Sequence, residues 1–594
     1  VYRVVRRLGG WKWVEQALSS LPSEVITESI KTKEEHSVTA RSGINLKRVA
    51  VDLTPVLPGG ENGGAKLVAI GLVRHLSQIA PDCEWVLLTS DKSHDELAYL
   101  DSHNVRRLCV MQRGGRAGTA KRVQLLKEWV RNSLTSILPP SVVARLKLVY
   151  RQAFHRPRIS SLPRQIGADL VFCPFTAPFF YDPTVPMVIV VHDLQYLYYP
   201  MFFTMDERYY RDLHFRDSCR LASRIVCVSD YVRTTVLENA DIDPNRVVTI
   251  YTRMANRLPQ PDTGSVSVLK RLGIEANRFL LYPSNFWPHK NHEMLLTAFG
   301  LFRAHHPESD LRLVCTGAPG ERMDKLQDVV GRMGLGGWVI FAGYVPDEEL
   351  AALLQGCCAV IFPSLYEGFG MPILEAMAFG KPVLCSNVTA LPEIAGDAAL
   401  FFDPRKPQEI AQAIAQVESN PELMAQLVQR GYQRVVAFED PTEMARQYLR
   451  VFCEALADTS RFGLAIHGIY PDGWTGERLT VTYDANSEER YLEISLTAPS
   501  WLPFDRVSVC LTQDGKDDSV RYQIERGRTL IVRRMLPCDS GFVELLIDPV
   551  FQPKAYNMGE DTRMLGCVAR ACRVVSPGGI INLLEVQAGH ATTN

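Results

Sequence analysis

The feature that most constrains the fold is an alternation of short apolar runs with helix-length amphipathic segments, which continues from residue 47 to residue 457. The runs are continuously apolar, as in strands that are buried on both faces. Helical segments, for example residues 292–304, lie between them. Strands separated by helices predict parallel sheets with helices on both faces. A linker rich in Pro, Gly and Ser at residues 258–265 divides the alternation into two doubly wound domains.

The predicted organisation has four parts. A chain of 594 residues is long enough for about three domains. Residues 1–46 form a basic and aromatic segment with a polar linker. Two Rossmann-like α/β domains follow at residues 47–260 and 261–457, and the second ends in a helix whose apolar spacing suits packing across the domain boundary. Residues 458–594 show short alternating runs between polar turns, which predict an all-β sandwich.

Composition argues against several classes of protein. The net charge of −1 gives no general argument for nucleic-acid binding, and we expect no nucleic-acid partner. The 14 cysteines include no CxxC pair, which favours a reduced, cytoplasmic chain over a disulfide framework or a zinc site. No apolar run approaches the roughly 20 residues that span a bilayer. The first residues lack the apolar core of a signal peptide, so we expect a cytoplasmic location.

One stretch departs from this neutral composition. Residues 113–164 interrupt the first α/β domain with twelve Lys and Arg residues and a single acid, Glu128. Such a basic amphipathic segment suits contact with an anionic membrane surface, and a solvated helix pair over the first domain is an equal alternative. Residues 1–46 are likewise compatible with contact to a membrane surface or with a terminal helix that packs on the rest of the protein. The sequence thus allows a peripheral location on the inner face of a membrane.

Ligands of open parallel sheets bind at the carboxyl ends of the strands, and three loops of this chain have that position. The first loop, residues 58–64, ends in Gly63 and Gly64, whose amides and following helix suit a phosphate group. It matches neither a P-loop nor GxGxxG, and a structural turn is the alternative. The second loop begins with His192, which is as compatible with a structural role as with a functional one.

The third loop lies within residues 362–375, FPSLYEGFGMPILE, where a strand, a glycine loop and a helix follow one another. It places two carboxylates, Glu367 and Glu375, eight positions apart. Carboxylates are natural partners for sugar and ribose hydroxyls. A diphosphate leaving group needs fixed positive charge, which Lys290 and the amides from Gly370 onward can supply. The stretch therefore predicts the donor half of a sugar-transfer site.

A family resemblance agrees with this interpretation. The stretch YEGFGMPILEAMAFGKPVL strongly resembles the E-x7-E motif of retaining glycosyltransferase family four, which has the GT-B fold. Further motifs of residues 47–457 match the same family: HDLQYLYYPMFF, RIVCVSDYVRTTV, GYVPDEELAALL and LPEIAGDAALFFDP. The stretch YPSNFWPHKNHEMLLTAF is similar to the branch that contains bacterial mannosyltransferases of O-antigen and capsule assembly.

The resemblance implies roles for individual residues. Glu367 would contact the donor sugar, Lys290 would neutralise the diphosphate, and His192 would approach the transferred sugar; these three are the candidate catalytic residues. Glu375 would contact the ribose. The other implied donor contacts are Gly63, Gly64, Gly368, Phe369, Gly370, Met371 and Pro372.

The resemblance also implies a reaction. The anomeric configuration is retained by a same-face route, in which the leaving phosphate helps to deprotonate the acceptor. The reaction needs no divalent metal and no cofactor. The expected donor is a nucleotide sugar, with GDP-mannose favoured and a UDP-sugar as the other option. The expected acceptor is a lipid-linked glycan or a polysaccharide in surface glycan assembly.

Two departures from the family pattern concern the diphosphate. Ser284 stands where many relatives carry an Arg six positions before the lysine. After the strand at residues 246–250, Tyr251-Thr252-Arg253 replaces the common Asn-Gly. One counter-charge would then have to come from Arg253 or His289, and donor identity is left open.

Two other functions and the role of the last domain also stay open. A sugar synthase or phosphorylase shares the fold, and a non-catalytic glycan-binding scaffold is a candidate from another class. The β module resembles modules attached to polysaccharide-assembly glycosyltransferases. It could bind a glycan or a partner, or serve as a structural appendage. Trp474, Trp501 and Tyr470 are its candidate binding residues, although burial in a core is the commoner role of such side chains.

Overall fold

The computed structural model describes most of the chain from residue 46 onward. The described residues are 46–59, 63–111, 158–260, 266–458, 464–470, 472–483, 486–514, 519–538, 541–556, 558–559, 561 and 563–585. The predictions for the N-terminal segment and for most of the basic insert concern residues outside these ranges. Within them, no helix combines the length and the apolar composition needed to cross a bilayer.

The first α/β domain is built on a seven-stranded parallel sheet in the order β3-β2-β1-β5-β7-β8-β9. A separate parallel pair joins β4 and β6. The strands are β1 (Arg48–Asp52), β2 (Glu84–Ser90), β3 (Val105–Met111), β4 (Arg158–Ile159), β5 (Leu170–Cys173), β6 (Phe180–Tyr181), β7 (Met187–Val191), β8 (Arg224–Cys227) and β9 (Val247–Thr249). The helices are α1 (Gly64–Ile79), α2 (Leu162–Gln165), α3 (Gln195–Tyr198), α4 (Met205–Leu221) and α5 (Asp230–Asn239).

The second α/β domain has a six-stranded parallel sheet in the order β12-β11-β10-β13-β14-β15. Its strands are β10 (Phe279–Pro283), β11 (Arg312–Thr316), β12 (Val339–Gly343), β13 (Ala359–Phe362), β14 (Val383–Ser386) and β15 (Ala399–Phe402). Its helices are α6 (Val266–Leu272), α7 (His292–His305), α8 (Glu321–Arg332), α9 (Asp347–Gly356), α10 (Met371–Ala378), α11 (Leu391–Ala395), α12 (Pro407–Ser419), α13 (Pro421–Val435) and α14 (Pro441–Ala457).

The predicted fold of tandem doubly wound domains is confirmed. The central strands, such as β7 and β13, are buried along their whole length, as their continuous apolar sequences require. In the two large parallel sheets, β3 and β15 were not predicted as strands, and both lie at sheet edges. Edge strands are only half covered, so β3 carries polar residues such as Arg106 and Arg107 and loses the apolar signal. β15, by contrast, has the wholly apolar sequence ALFF but only four residues.

Helix α14, the last helix of the second α/β domain, packs on the first α/β domain. In α14, the rings of Tyr448 and Phe452 lie 5.6 and 5.1 Å from the ring of Phe172 on β5. Phe452 also lies 6.5 Å from Trp85 on β2. Burial of these rings ties the end of the second domain to the sheet of the first.

The C-terminal module is all β, as predicted, with two antiparallel sheets in the orders β16-β17-β22-β19-β20 and β21-β18-β23-β24. In β18, buried and half-buried residues alternate, which is the pattern of a sheet with one face in a core. The strands are β16 (Ala465–Ile469), β17 (Thr475–Tyr483), β18 (Arg490–Thr497), β19 (Arg506–Gln513), β20 (Val520–Glu525), β21 (Thr529–Leu536), β22 (Gly541–Asp548), β23 (Val568–Ser576) and β24 (Gly579–Asn582).

Candidate active site

Lys290 and Glu367 form an ion pair at the carboxyl ends of two neighbouring strands of the second domain. Lys290 follows β10 and Glu367 follows β13, and β10 pairs with β13 in the sheet. The Lys290 Nζ lies 2.5 Å from the Glu367 Oε1, and each side chain is only 12% exposed. The ammonium group also lies 5.2 Å from the centre of the Phe362 ring. A cation and a carboxylate are thus held together where water screens them weakly.

The turn that carries Lys290 is fixed by hydrogen bonds of its backbone and of its neighbour. The Tyr282 hydroxyl donates to the Lys290 carbonyl oxygen at 2.6 Å. Asn291 adopts a left-handed conformation, with φ of 64°. Its amide nitrogen donates to the carbonyl oxygens of Pro363 and Pro404 at 3.0 and 2.8 Å. The lysine turn is therefore anchored to the start of the glycine loop, which carries Glu367.

The glycine loop touches the first domain at His192. A Cβ at Gly368 would overlap the His192 carbonyl oxygen, so only glycine fits there without a shift of the backbone. The Ser229 hydroxyl, which follows β8, donates to the Gly368 carbonyl oxygen at 2.7 Å. These contacts bring two predicted site residues, Glu367 and His192, to the same seam between the α/β domains.

His192 is neutral at this seam. Burial lowers the pKa of its imidazole, against opposing effects of the Pro174 carbonyl and Asp193. Its Nε2 lies 2.8 Å from the Pro174 carbonyl oxygen. Because a carbonyl oxygen only accepts, the Nε2 carries the proton and the Nδ1 is the acceptor of the ring.

Gly63 and Gly64 face the second domain from the start of α1. Gly63 has a φ of +56°, and a Cβ there would lie 2.9 Å from the Trp287 ring. A Cβ at Gly64 would lie 3.9 Å from the methyl group of Met371. Trp287 belongs to the lysine turn and Met371 begins α10. The glycine pair thus lies opposite the two elements that were expected to bind a diphosphate.

The start of α10 has the features of an anion site. Gly370 precedes the helix with a φ of +100°, and Pro372 lies in the first turn. No side chain caps the first amides of this helix. The Phe369 side chain is buried and packs 6.0 Å from Phe438, so it fixes the loop from behind. Pro372 has no amide hydrogen and the Ile373 amide donates to the Gly370 carbonyl oxygen, so the positive end of the helix dipole is the feature that favours a negative group here.

Glu375 has a partner that the sequence did not indicate. Its Oε1 lies 2.6 Å from the Arg257 Nε, and the Arg257 Nη1 lies 2.9 Å from the Asp347 Oδ2. The Glu375 side chain is only 3% exposed. Burial raises the pKa of Glu375, and the Arg257 guanidinium opposes that rise. Arg257 lies in the segment between the two α/β domains, where composition gave no signal for a site residue.

Arg253 and His289, the two candidates for the diphosphate charge, and Ser284, which stands at the usual Arg position, have other surroundings. The Arg253 guanidinium donates to the Ala437 carbonyl oxygen, beyond α13. Burial lowers the pKa of His289 to about 2, and Lys290 and Arg211 act in the same direction, so its ring is neutral. Ser284 is buried, and its hydroxyl donates to the Asn285 carbonyl oxygen at 3.2 Å. Within the described residues, the cation that contacts the glycine loop is Lys290.

A second seam contact was also missed. Glu393 on α11 accepts hydrogen bonds from the backbone amides of Asp230 and Tyr231 at 2.8 and 2.9 Å. These amides begin α5 of the first domain. A carboxylate at a helix N-terminus is stabilised by the helix dipole, so this contact holds the two domains together. The motif LPEIAGD contains Glu393, but no sequence signal showed that its partners are backbone amides.

Two facing Rossmann-like domains with Lys290, Glu367 and His192 at their seam define the GT-B class of proteins. Comparisons with known proteins agree. A sequence model described as "Glycosyltransferase Family 4" matches residues 62–252, and one described as "Glycosyl transferases group 1" matches residues 269–434. Together they cover most of both α/β domains. The chain therefore belongs to glycosyltransferase family four.

Sequence relatives agree with this assignment, and one solved structure shares the fold. "O-antigen chain mannosyltransferase B" of Escherichia coli is 35% identical over 236 residues, which is 39% of this chain and 60% of the relative. "Serotype-specific mannosyltransferase WbdA" of Escherichia coli is 30% identical over 218 residues, 35% of this chain and 27% of the relative. The chain thus spans less than two thirds of these relatives. Sucrose-phosphate synthase from Thermosynechococcus elongatus shares the fold, with a TM-score of 0.51, 18% identity and coverage of 69% of this chain and 99% of that one.

Proposed function

We propose that this chain is a retaining glycosyltransferase that moves mannose from GDP-mannose to a lipid-linked or polysaccharide acceptor. The observation that carries the proposal is the contact of the glycine loop with His192, because it places the Lys290–Glu367 pair beside the first domain. The names of two relatives, "O-antigen chain mannosyltransferase B" and "Serotype-specific mannosyltransferase WbdA", favour mannose as the sugar.

In the proposed reaction, the bond between the sugar C1 and the diphosphate oxygen breaks, and its electron pair goes to that oxygen. Negative charge then grows on the diphosphate. Lys290 and the positive end of the α10 helix dipole supply fixed positive charge at this position. Glu367 accepts hydrogen bonds from hydroxyls of the transferred sugar while it holds the Lys290 ammonium in place.

The acceptor hydroxyl attacks C1 from the face that the diphosphate leaves. A new bond forms between the acceptor oxygen and C1, and the acceptor proton moves to the departing phosphate oxygen. The configuration at C1 is therefore retained, and the step needs no protein base and no metal ion. His192 carries its proton on Nε2, so its Nδ1 accepts a hydrogen bond from a sugar hydroxyl and orients the sugar.

The nucleoside half of the donor lies beside α10. Glu375 is the carboxylate there, and it accepts hydrogen bonds from the ribose hydroxyls in this proposal. Arg257 supports the role, because its guanidinium favours the ionised form of Glu375 against the burial that raises the pKa of this carboxyl. An ionised Glu375 is the form that accepts two hydroxyl hydrogen bonds.

The test is a donor panel. Purified protein is incubated with a mannose oligosaccharide acceptor and GDP-mannose, UDP-glucose or GDP-fucose, with and without EDTA. We expect an α-mannoside from GDP-mannose alone, at the same rate with EDTA, with the anomer assigned by NMR. An inverted product would contradict retention. No transfer and no donor hydrolysis with any sugar nucleotide would leave a non-catalytic glycan-binding protein as the better account.

A further inference from the structure

We propose that the β module carries a second glycan-binding surface, separate from the transfer site, which binds a neutral hexose polymer on two exposed aromatic rings. The surface, here called the aromatic face, presents the exposed rings of Trp501 and Tyr556. The rings of Trp474, Phe504 and Phe551 pack against them and belong to the same cluster. The identity of the glycan, namely the acceptor or product polymer, rests on the proposed function. The existence of the surface rests on the geometry of the module alone.

Buried rings hold the exposed rings of the aromatic face in place. Phe551 is buried, and its ring centre lies 6.1 Å from that of Trp501 and 6.2 Å from that of Tyr556. Trp474 lies 5.3 Å from Trp501, and Phe504 lies 6.0 Å from Tyr556. Trp501 and Tyr556 are nevertheless 51% and 48% exposed. Rings that are fixed before a ligand arrives lose little conformational entropy on binding.

The exposed rings of Trp501 and Tyr556 differ from apolar side chains that are exposed singly on a protein surface. Two large rings share one buried neighbour, and the exposed side chains of Met558 and Met564 follow in the same segment. Leu565, next to Met564, exchanges backbone hydrogen bonds with Phe551. A contiguous apolar patch on a module surface marks a binding surface more often than scattered apolar residues do.

A cluster of one guanidinium and two carboxylates borders the aromatic face. The Arg563 guanidinium lies 2.7 Å from the Asp561 carboxylate and 2.6 Å from that of Asp472, and it stacks 4.8 Å from the Tyr470 ring. The Tyr470 amide donates to the Trp474 carbonyl oxygen at 2.7 Å, which joins this cluster to the aromatic face. Among the described side chains of this cluster, Arg563 is already paired with two carboxylates and so offers no free positive charge to a phosphate group.

The chemistry that fits is a neutral sugar. A hexose has apolar C–H groups on one face, which stack on an aromatic ring, and hydroxyls at its edge, which hydrogen-bond to carboxylates and a guanidinium. Size points the same way. Two half-exposed rings offer about 100 Å² each, whereas a stable protein interface buries about 800 Å² per partner. The aromatic face suits a few sugar rings better than a second protein.

A polymer-binding site on the same chain has a use in the proposed reaction. A growing glycan that stays attached to the β module is present at high effective concentration near the transfer site. The aromatic face would then raise the rate of repeated transfer to long acceptors and leave the chemical step unchanged.

The experiment uses the full chain and isothermal titration with neutral mannose oligosaccharides, without donor. Trp501→Ala and Tyr556→Ala are compared with Ile531→Ala, which truncates a 59% exposed side chain on the other sheet of the module. We expect the two aromatic variants to bind the oligosaccharide about tenfold more weakly or not at all. The Ile531 variant should bind as the wild type does. Hydrolysis of GDP-mannose in the absence of acceptor should be unchanged in all three.

Three outcomes would contradict the inference. Wild-type affinity in both aromatic variants would show that the sugar binds elsewhere. Failure of the wild type to bind any neutral hexose polymer would show that the proposed class of ligand is wrong. A wild-type dimer that becomes monomeric in Trp501→Ala, measured by sedimentation, would make the aromatic face an interface between copies of this chain. If transfer fails for every donor while Trp501-dependent binding persists, the proposed function falls and the glycan surface stands.

Discussion

Gly368 and the His192 carbonyl oxygen lie so close that no side chain fits between them. This contact joins the glycine loop of the second α/β domain to the end of β7 in the first. Every side chain that we assign to the donor sugar lies at this seam. The geometry of the seam should therefore control activity more than it controls the stability of either domain.

Replacement of Gly368 by Ala tests this relationship. The added methyl group overlaps backbone, which cannot move aside as a flexible side chain can, so the glycine loop must shift away from His192. We expect kcat/KM to fall about 100-fold, since small displacements of reacting groups have effects of this size. The measurement is the steady-state rate of GDP release.

Gly331→Ala is the matched control. Gly331 lies in α8, and a Cβ there meets no atom within 4 Å. Alanine in a helix interior should stabilise by about 0.5–1 kcal/mol and leave activity unchanged. Wild-type kcat/KM in Gly368→Ala would show that the contact with His192 is irrelevant to transfer.

Glu393 offers a second test of the seam. Glu393→Gln keeps the size of the side chain but removes the charge that the N-terminus of α5 favours. We expect hydrogen exchange at the amides of Asp230 and Tyr231 to become about tenfold faster, which corresponds to about 1.4 kcal/mol. Glu409→Gln is the control, because Glu409 accepts from the Asp403 amide within the second domain. Equal exchange in both variants would argue against a role of Glu393 in holding the domains together.

The Arg257–Glu375 pair predicts a non-additive double mutant. Arg257→Met leaves a nearly buried carboxylate without its cation, which should lower the free energy of unfolding by about 3–5 kcal/mol. Glu375→Gln should cost less, because Arg257 keeps Asp347 as a partner. The double variant should recover much of the Arg257→Met loss. Denaturation in urea gives the three values, and simple addition of the single effects would contradict the pairing.

Glu375→Gln also separates binding from chemistry. If Glu375 contacts the ribose, the substitution removes an interaction that donor and transition state share. The KM for the donor should then rise by about tenfold with little change in kcat. A fall in kcat at constant KM would assign Glu375 to the transferred group instead.

His292 predicts a dependence of stability on pH. Burial lowers the pKa of His292 to about 3 from an ordinary value of 6.5, and Arg322 and Lys290 act in the same direction. Below pH 6.5 the unfolded chain therefore binds one proton more than the folded chain, so stability decreases as the pH falls. At about pH 5 the titration of His292 alone should lower the free energy of unfolding by about 2 kcal/mol relative to neutral pH.

The matched variant is His292→Phe. Within the described residues, neither ring nitrogen of His292 has a hydrogen-bond partner, and the ring packs between Tyr282 and Phe286 at 4.7 and 4.9 Å. Phenylalanine should therefore fit and flatten the pH dependence of thermal unfolding. His305→Phe, at an exposed position of the same helix, should not. Parallel pH profiles for the wild type and His292→Phe would exclude a neutral buried imidazole.

Much of this architecture follows from local sequence. Continuous apolar runs identified the central strands, and the position of ligands at strand ends placed Lys290 and Glu367 in one site before their contact was known. The partners Arg257 and Glu393 could not be found in this way. Arg257 contacts Glu375, 118 positions away, and Glu393 contacts the backbone amides of Asp230 and Tyr231, 163 and 162 positions away. Only the packing of the domains brings these groups together.

The most direct test of the transfer site is turnover by Lys290→Ala. Lys290 is the nearly buried cation beside Glu367, and the developing charge on the diphosphate depends on it in the proposed reaction. Release of GDP from GDP-mannose is measured for the wild type, for Lys290→Ala and for Lys325→Ala, an exposed lysine paired with Glu321 on α8. We predict that kcat falls about 100-fold or more in Lys290→Ala and stays unchanged in Lys325→Ala. Wild-type turnover in Lys290→Ala would contradict the assignment of this seam as the site of sugar transfer.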